Sequence, residues 1–247
     1  MQLQIELVAA NGDYAVLPVH YNYLLQGLIY SMVKDKMPEI HAKGYAAGER
    51  ILRLFVFSRL LGRVKAIKDG KIVFASPLKF KVGSPLERFI EVLSETLLVA
   101  EEIRLGDTIF WPGTIAVIPV PDFSTGKAIG RAISPVTVYS TLQAPDGKKK
   151  TYYYHPVEKE FGEQVKNNLL KKAAVLGINL PPDVPLELHP VNVKGSDMKV
   201  VYYKDTVIKG WLGKYMLTGD PQLIRLAFSA GIGAKNSQGF GMLEPVI

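Results

Sequence analysis

The sequence predicts an α+β fold in which one order of elements, β-α-β-β-α-β, occurs twice. The segment QLQIELVA at residues 2–9 alternates apolar and polar residues, which is typical of a strand in a sheet. The segment YNYLLQGLIYSMVKDK at 21–36 places Leu25, Leu28 and Ile29 at helical spacing. Strand-like and helix-like segments then follow in the same order in each half of the 247 residues. That order predicts tandem ferredoxin-like (RRM-like) domains with antiparallel sheets.

The first half supplies one complete set of elements. Pro38 ends the first helix, and the polar stretch EIHAKGYAAGER at 39–50 is predicted to be a loop. The stretches ILRLFVFSRL at 51–60 and KIVFASPLKFKV at 71–82 are predicted strands, the second with a turn at its end. The helix SPLERFIEVLSETLL at 84–98 has Ser84 as its N-cap and Glu87 as the partner in a capping box. A strand, EIRLGDTIFW at 102–111, completes the set.

The second half repeats the pattern with an elaborated hairpin. Strands are predicted at TIAVIPVPDF, AISPVTVYST, PLELHPVNV, MKVVYYK and TVIKGWLGKYMLTG, and DGKKKTYYYH reads as a hairpin tip with its returning strand. One helix covers 156–177 and stops at Gly177, and another covers 221–230 with Asp220 as N-cap. GFGMLEPVI is the last strand. We place the boundary near 111–118 and divide the chain into 1–113 and 114–247.

Composition narrows the possible functions. The 30 Lys and Arg residues exceed the 23 Asp and Glu residues, giving a net charge of +7. This balance favours a polyanionic partner such as nucleic acid, although a protein with a mild excess of lysine would look the same. The absence of cysteine excludes disulfides, thiolate catalysis and cysteine-bound zinc, and it fits a reducing cytoplasm. The first residues do not resemble a signal peptide, and no apolar run reaches the roughly 18 residues of a membrane span.

The segment GIGAKNSQGFGML at 231–243 is the most distinctive motif. Its four glycines permit positive φ and close approach of another backbone, and exposed N–H groups in such a turn bind anions. A dinucleotide fingerprint is excluded because here the helix precedes the glycines, and the Walker A pattern is absent. A glycine-rich turn that only closes the sheet remains the alternative.

This motif resembles the C-terminal glycine-rich signature of the CRISPR-associated repeat-RNA endoribonucleases, the Cas6 family of the RAMP superfamily. The family pattern has two Gly-apolar-Gly triplets five residues apart, as in Gly231-Ile232-Gly233 and Gly239-Phe240-Gly241. The segments YLLQGLIYSMV, IHAKG and LFVFSRL in the first half are also similar to the family, so the resemblance covers the whole chain.

The resemblance implies metal-independent cleavage of CRISPR repeat RNA (pre-crRNA) with no cofactor. The 2'-hydroxyl attacks the adjacent phosphate, leaving a 2',3'-cyclic phosphate and a 5'-hydroxyl. Other effector-complex subunits are further candidate partners, and the resemblance does not decide between a monomer and a homodimer. A non-cleaving RAMP-type RNA-binding subunit is the main alternative function. An unrelated basic ferredoxin-like enzyme for a small anionic substrate is a third.

The resemblance also assigns candidate catalytic residues. His41 is the predicted proton-transfer group, against the alternative of a surface histidine. Tyr30 is predicted to orient the 2'-hydroxyl, against the alternative of a core aromatic residue. Arg53 occupies a region where many members carry a lysine; it can clamp phosphate but cannot donate a proton. Tyr45 could take the tyrosine role instead.

Candidate RNA-binding residues lie in the glycine motif and in basic segments. In the motif they are Gly231, Gly233, Lys235, Asn236, Ser237, Gly239 and Gly241. Elsewhere they are Lys43, Arg50, Arg131, Lys148, Lys149 and Lys150. The three lysines precede Tyr152, Tyr153 and Tyr154, and a basic tip beside aromatic residues suits charge contacts and base stacking. A solvated hairpin turn is the alternative there.

Overall fold

The structure, a computed structural model, describes residues 1–48, 50–143 and 147–246, and of His41 it describes only the backbone. The elements of the first half are β1 (Gln2–Ala9), β2 (Tyr14–Pro18), α1 (Asn22–Val33), α2 (Pro38–Ala42), β3 (Tyr45–Ala47), β4 (Arg50–Leu52), β5 (Val56–Phe57), β6 (Val64–Lys68), β7 (Lys71–Ala75), β8 (Leu78–Gly83), α3 (Glu87–Leu98), β9 (Ile103–Leu105) and β10 (Thr108–Ile118). Those of the second half are β11 (Lys127–Val136), β12 (Tyr139–Gln143), β13 (Lys149–Tyr153), α4 (Lys159–Val175), β14 (Leu186–Val191), β15 (Met198–Tyr203), β16 (Thr206–Gly219), α5 (Pro221–Ala230) and β17 (Leu243–Pro245).

The first sheet is antiparallel, with strand order β5-β8-β1-β10-β9. Alternation in β1 buries Leu3, Ile5 and Leu7 completely, and these side chains share one core with the apolar faces of α1 and α3. The hairpin β3–β4 and the small sheet β2-β7-β6 are additions outside this sheet. The four main strands β1, β5, β8 and β10 with α1 and α3 therefore form the predicted ferredoxin-like unit.

The second sheet repeats this arrangement with the order β14-β16-β11-β17 and β15 paired to β16. Helices α4 and α5 cover it, and α4 contributes Phe161, Val165 and Leu169 to the core. The antiparallel hairpin β12–β13 is inserted between β11 and α4, as the sequence predicts, although its tip at 144–146 lies outside the described residues. The predicted N-cap is confirmed, since Asp220 Oδ1 accepts hydrogen bonds from the N–H groups of Gln222 and Leu223.

The two halves are joined by specific contacts as well as by the chain. Gln2 Nε2 donates to the carbonyls of Phe228 (2.8 Å) and Leu243 (3.1 Å). Lys81 of β8 forms an ion pair with Glu244 of β17 at 2.5 Å. These contacts join β1 and β8 of the first sheet to α5 and β17 of the second half, so the halves pack against each other there.

The division between 113 and 114 stays a prediction, and that point lies within β10. β10 continues to Ile118 and stays paired with β1, where Gln2 lies opposite Ile118. Pro112 and Gly113 lie at an irregularity in the β1–β10 register, which accommodates them without ending the strand. The stretch TIAVIPVPDF is therefore not a strand of the second half.

Three other local predictions are corrected. Ser76 and Pro77 divide the predicted strand at 71–82 into β7 and β8, which belong to different sheets. Ser84 is not the N-cap of α3, because its hydroxyl donates to Leu54 O and the helix begins at Glu87. The last strand is only the short β17.

Among the described residues, no helix combines the length and apolar character needed to cross a membrane.

Candidate active site

The glycine motif, which we call the glycine loop (231–242), is folded back on itself between α5 and β17. Its four glycines have φ values between +69° and +85°, which side chains with a Cβ rarely adopt. Ile232 N donates to Gly241 O at 2.9 Å, so the two Gly-apolar-Gly triplets lie side by side. Residues 236–238 form one 3-10 turn between them.

The glycines are buried, which corrects the expectation of an exposed anion-binding turn. All four are buried, and Gly239 N and Gly241 N donate to the carbonyls of Asn236 and Pro135. A Cβ on Gly239 would lie 2.5 Å from Phe57 of the first half, and one on Gly241 would lie 1.9 Å from Ile232 O. The glycines are therefore needed for close packing, and only Lys235 and Ser237 of the predicted loop contacts are partly exposed.

The loop is held by one face of α1. Asn22 Nδ2 donates to Gln238 O at 2.9 Å, and Gln26 Nε2 donates to Ser237 O at 2.6 Å. One turn further on, the Tyr30 hydroxyl interacts with the Ser237 side chain. The three side chains are spaced by four residues, so they lie in one row along the helix. This row joins the first helix of the first half to the last loop of the second.

Tyr30 is a neutral phenol at this junction. Burial raises its pKa above the ordinary value, and the nearby Arg53 charge and the Ser237 contact only partly oppose this. Its ring packs edge-on against Phe55, with ring centroids 5.5 Å apart. Both alternatives for Tyr30 therefore hold in part: the ring belongs to the core and the hydroxyl reaches the loop. Such a phenol can donate or accept a hydrogen bond but does not act as a base near neutral pH.

A cleft of about 420 Å³ opens beside this junction. Strand β4, strand β12, helix α4 and the glycine loop line it. Its cations are Arg50, Arg53, Lys172 and Lys235, and none of the described lining residues is a carboxylate. Lys235 also lies over the Tyr139 ring, 5.4 Å from its centroid. The cleft is thus suited to a phosphate-bearing ligand.

His41 belongs to a short helix, where the sequence predicted a loop. Pro38 begins α2 as its first residue, a position that proline favours, and Met37 is the N-cap. Arg53 Nη1 donates to Ile40 O at 3.0 Å, which ties this helix to the segment following β4. Arg53 therefore fixes the backbone that carries His41 and also lines the cleft.

Two protein-family models match the sequence. The profile described as "CRISPR associated protein Cas6, C-terminal" matches residues 118–245, and that described as "CRISPR-associated protein Cas6, N-terminal" matches residues 16–115. The chain belongs to the Cas6 family. The resemblance read from the glycine motif is thereby confirmed.

Two Cas6 relatives match over nearly the whole chain. The CRISPR-associated endoribonuclease Cas6 1 of Methanocaldococcus jannaschii is 29% identical over 250 residues, covering 99% of this chain and 93% of the relative. The CRISPR-associated endoribonuclease Cas6 of Pyrococcus furiosus is 28% identical over 248 residues, covering 99% and 89%. A solved structure described as CRISPR associated protein Cas6 superposes with a TM-score of 0.82 at 25% identity, covering 100% of this chain and 99% of that one. The predicted tandem ferredoxin-like fold is confirmed.

The remaining predicted Cas6 site residues fall at several places. Tyr45 of β3 is partly buried against the first core, and burial raises its pKa. Lys43 follows α2 and is exposed. Lys149 and Lys150 lie on β13, and Lys148 just before it, all exposed on the hairpin whose base includes Tyr139. Arg131 lies outside the cleft, in a separate groove of about 890 Å³.

Sequence reasoning missed four residues of this Cas6 site. Asn22 and Gln26 hold the loop, and Tyr203 of β15 donates its hydroxyl hydrogen bond to Gln26 Oε1. Lys172 is buried at the inner end of the cleft. A signal for Lys172 exists, because it lies three residues after Leu169 on the apolar face of α4.

Proposed function

We propose that this Cas6 protein is an endoribonuclease that cleaves CRISPR repeat RNA by attack of a 2'-hydroxyl on the adjacent phosphate. The products would carry a 2',3'-cyclic phosphate and a 5'-hydroxyl. The main supporting observation is the cationic cleft, which Arg53 and Ser237 line. The Tyr30 hydroxyl meets the Ser237 side chain, and Arg53 also holds the helix that carries His41. The substrate itself supplies the nucleophile, so the protein must supply proton transfer, orientation and positive charge.

We assign these three tasks to different residues. His41 is the proton-transfer group, since imidazole is the side chain whose ordinary pKa lies closest to neutrality. Tyr30 is neutral, as its raised pKa requires, and its hydroxyl orients the 2'-hydroxyl by a hydrogen bond. Arg53 stabilises the negative charge that develops on the phosphate, because a guanidinium stays charged and binds phosphate in two-pronged fashion. Tyr45 is the second choice for the orienting role.

RNA binding is proposed to extend from the cleft over two basic surfaces. Lys235, Arg50 and Lys43 are near the site of cleavage, and the hairpin bearing Lys148, Lys149 and Lys150 continues from the cleft wall at Tyr139. Arg131 shares its own groove with Arg59, Lys194 and Lys214, which supports contact with a more distant part of the RNA. Each phosphate contact of this kind strengthens binding in a salt-dependent way.

One chain supplies every residue named here, so we propose that cleavage needs neither a second copy nor another effector subunit. The proposed substrate is a transcript, which places the activity in the cytoplasm. A cleavage rate per chain that does not change with protein concentration would support cleavage by a single copy of the chain.

The decisive experiment compares two repeat RNAs in excess EDTA. One is all-ribose, and the other carries a single 2'-deoxy nucleotide 5' to the scissile phosphate. We expect the first to be cut to 2',3'-cyclic phosphate and 5'-hydroxyl ends, and the second to bind with similar affinity but remain intact. Cleavage of the deoxy substrate at that phosphate would show that water is the nucleophile. Tight binding without any cleavage would instead favour a non-cleaving RNA-binding subunit.

A further inference from the structure

Lys172 is a buried cation that the reaction scheme leaves unused. It lies on α4 with 3% of its surface exposed, and its Nζ donates to Ala230 O (3.2 Å), Gly231 O (2.7 Å) and Asn236 Oδ1 (2.7 Å). These three contacts account for all three N–H bonds of an ammonium group. Burial lowers the pKa of Lys172 to about 7.

An apolar side chain would be the less costly choice at this position. Burying an ammonium carries a desolvation penalty of several kcal/mol, roughly, even when partners are present. Part of the compensation comes from the C-terminal end of α5, where Ala230 O and Gly231 O present the negative end of the helix dipole. The neighbouring Leu169 and Ala173 show that apolar residues suit the same face of α4. Packing alone therefore does not explain a lysine here.

The contact with Asn236 sets the geometry of the whole glycine loop. Because the ammonium form of Lys172 has donors and no acceptor, the oxygen of the Asn236 amide faces it and the amide nitrogen faces the opposite way. Asn236 Nδ2 donates to Ile232 O (3.0 Å) and to Phe240 O (2.9 Å). These are the central residues of the two Gly-apolar-Gly triplets. Lys172 thus determines how one amide ties both triplets together.

The loop transmits this geometry to α1. Ser237 follows Asn236 directly, and it meets Gln26 through its carbonyl and Tyr30 through its side chain. We propose that Lys172 is a positioning residue that holds Tyr30 at the cleft through Asn236 and Ser237. The proposal rests on the proposed endoribonuclease function.

The test compares Lys172→Met with Lys166→Met, a partly exposed lysine on the same helix that does not line the cleft. Methionine keeps most of the side-chain length and removes the charge and all three donors. At saturating RNA we expect Lys172→Met to cleave about 10- to 100-fold more slowly in a single turnover, since small displacements of reacting groups cost up to about 10²-fold. Its RNA dissociation constant should stay within about threefold of wild type, which separates chemistry from binding. Lys166→Met should match wild type in both.

Hydrogen exchange supplies a readout that does not depend on cleavage. We expect the amides of 231–241 to exchange at least about tenfold faster in Lys172→Met while the core strands stay protected. A wild-type protein that does not cut repeat RNA would refute the proposed function, whereas this exchange experiment would still report on the loop. Unchanged cleavage and exchange in a folded Lys172→Met protein would overturn the positioning role. If the melting temperature, the RNA affinity and the cleavage rate of Lys172→Met all fall together, the positioning role would also be overturned, because Lys172 would then have a general structural role.

Ser237→Ala removes the side-chain contact with Tyr30 while Lys172 is retained. This variant replaces Lys172→Met if Lys172→Met does not fold. Ser237 is partly exposed, so its loss should leave the fold intact. We expect a rate lowered by about three- to tenfold at saturating RNA, the worth of one hydrogen bond of about 1 kcal/mol. An unchanged cleavage rate would show that Lys172 does not position Tyr30 through Asn236 and Ser237.

Discussion

Gly239→Ala should destabilise the protein by much more than Gly12→Ala, although both glycines have nearly the same positive φ. Their φ values are +85° and +84°. At Gly12 an added Cβ meets nothing within 4 Å, whereas at Gly239 it would lie 2.5 Å from Phe57 Cε2 and 2.6 Å from Asn22 Nδ2. The pair therefore separates the cost of the backbone conformation from the cost of the lost space.

The expected magnitudes follow from these two costs. Placing an L-residue at positive φ costs about 1–2 kcal/mol, and both variants incur it. Overpacking a close-packed site adds about 1–3 kcal/mol, and only Gly239→Ala incurs it. Phe57 is fully buried and Asn22 is held by its hydrogen bond to Gln238 O, so neither neighbour can move aside freely. We expect a loss of about 2–5 kcal/mol for Gly239→Ala against about 1–2 kcal/mol for Gly12→Ala.

Urea unfolding followed by circular dichroism and by tryptophan fluorescence would measure the free energies of unfolding. Coincident transitions by the two probes are needed before a single value is assigned. Equal losses in the two variants, within about 0.5 kcal/mol, would refute the steric argument. Gly239 would then be present for its conformation alone, as in an ordinary turn.

Three further predictions concern cleavage and RNA binding. His41→Ala should lower the single-turnover rate by about 10²- to 10⁴-fold with little change in binding, as expected for a positioned acid or base; a wild-type rate would move that role to another residue. Tyr30→Phe should slow cleavage at saturating RNA without raising the dissociation constant, and Tyr45→Phe is its matched control, since an effect confined to Tyr45→Phe would reverse the assignment. Lys235→Ala should reduce the slope of log affinity against log salt by about one unit in filter binding, whereas an unchanged slope would mean that Lys235 makes no phosphate contact.

The fold was predictable because local signals and tertiary structure agree in most elements. The alternation of β1, the spacing in α1, the Asp220 cap and the stop at Gly177 are each visible in the sequence and present in the structure. The sequence-based predictions were wrong where one residue type is compatible with two local structures. Pro38 can follow one helix or begin the next, and here it begins α2.

The site was predictable as a location but not as a set of contacts. The glycine spacing indicated the loop, yet a glycine that admits a ligand and a glycine that admits Phe57 look alike in a sequence. Lys172 was missed because lysines are usually exposed, and the acceptors that make its burial possible lie 58 to 64 residues away. Such partnerships depend on tertiary structure and have no local pattern.

The contact between α1 and the glycine loop also has a consequence for a chain that is still being synthesised. The hydrogen-bond partner of Gln26 is Ser237, which lies 211 residues later in the chain. The partner of Asn22 is Gln238, which lies 216 residues later. At about 5–20 residues per second, translation takes roughly 10–40 seconds to cover that distance. During this time the first sheet can fold, but Tyr30 has no Ser237 to hold it. If Tyr30 has the proposed orienting role, we expect the nascent chain to cleave no RNA until residues 231–242 have left the ribosome and reached α1.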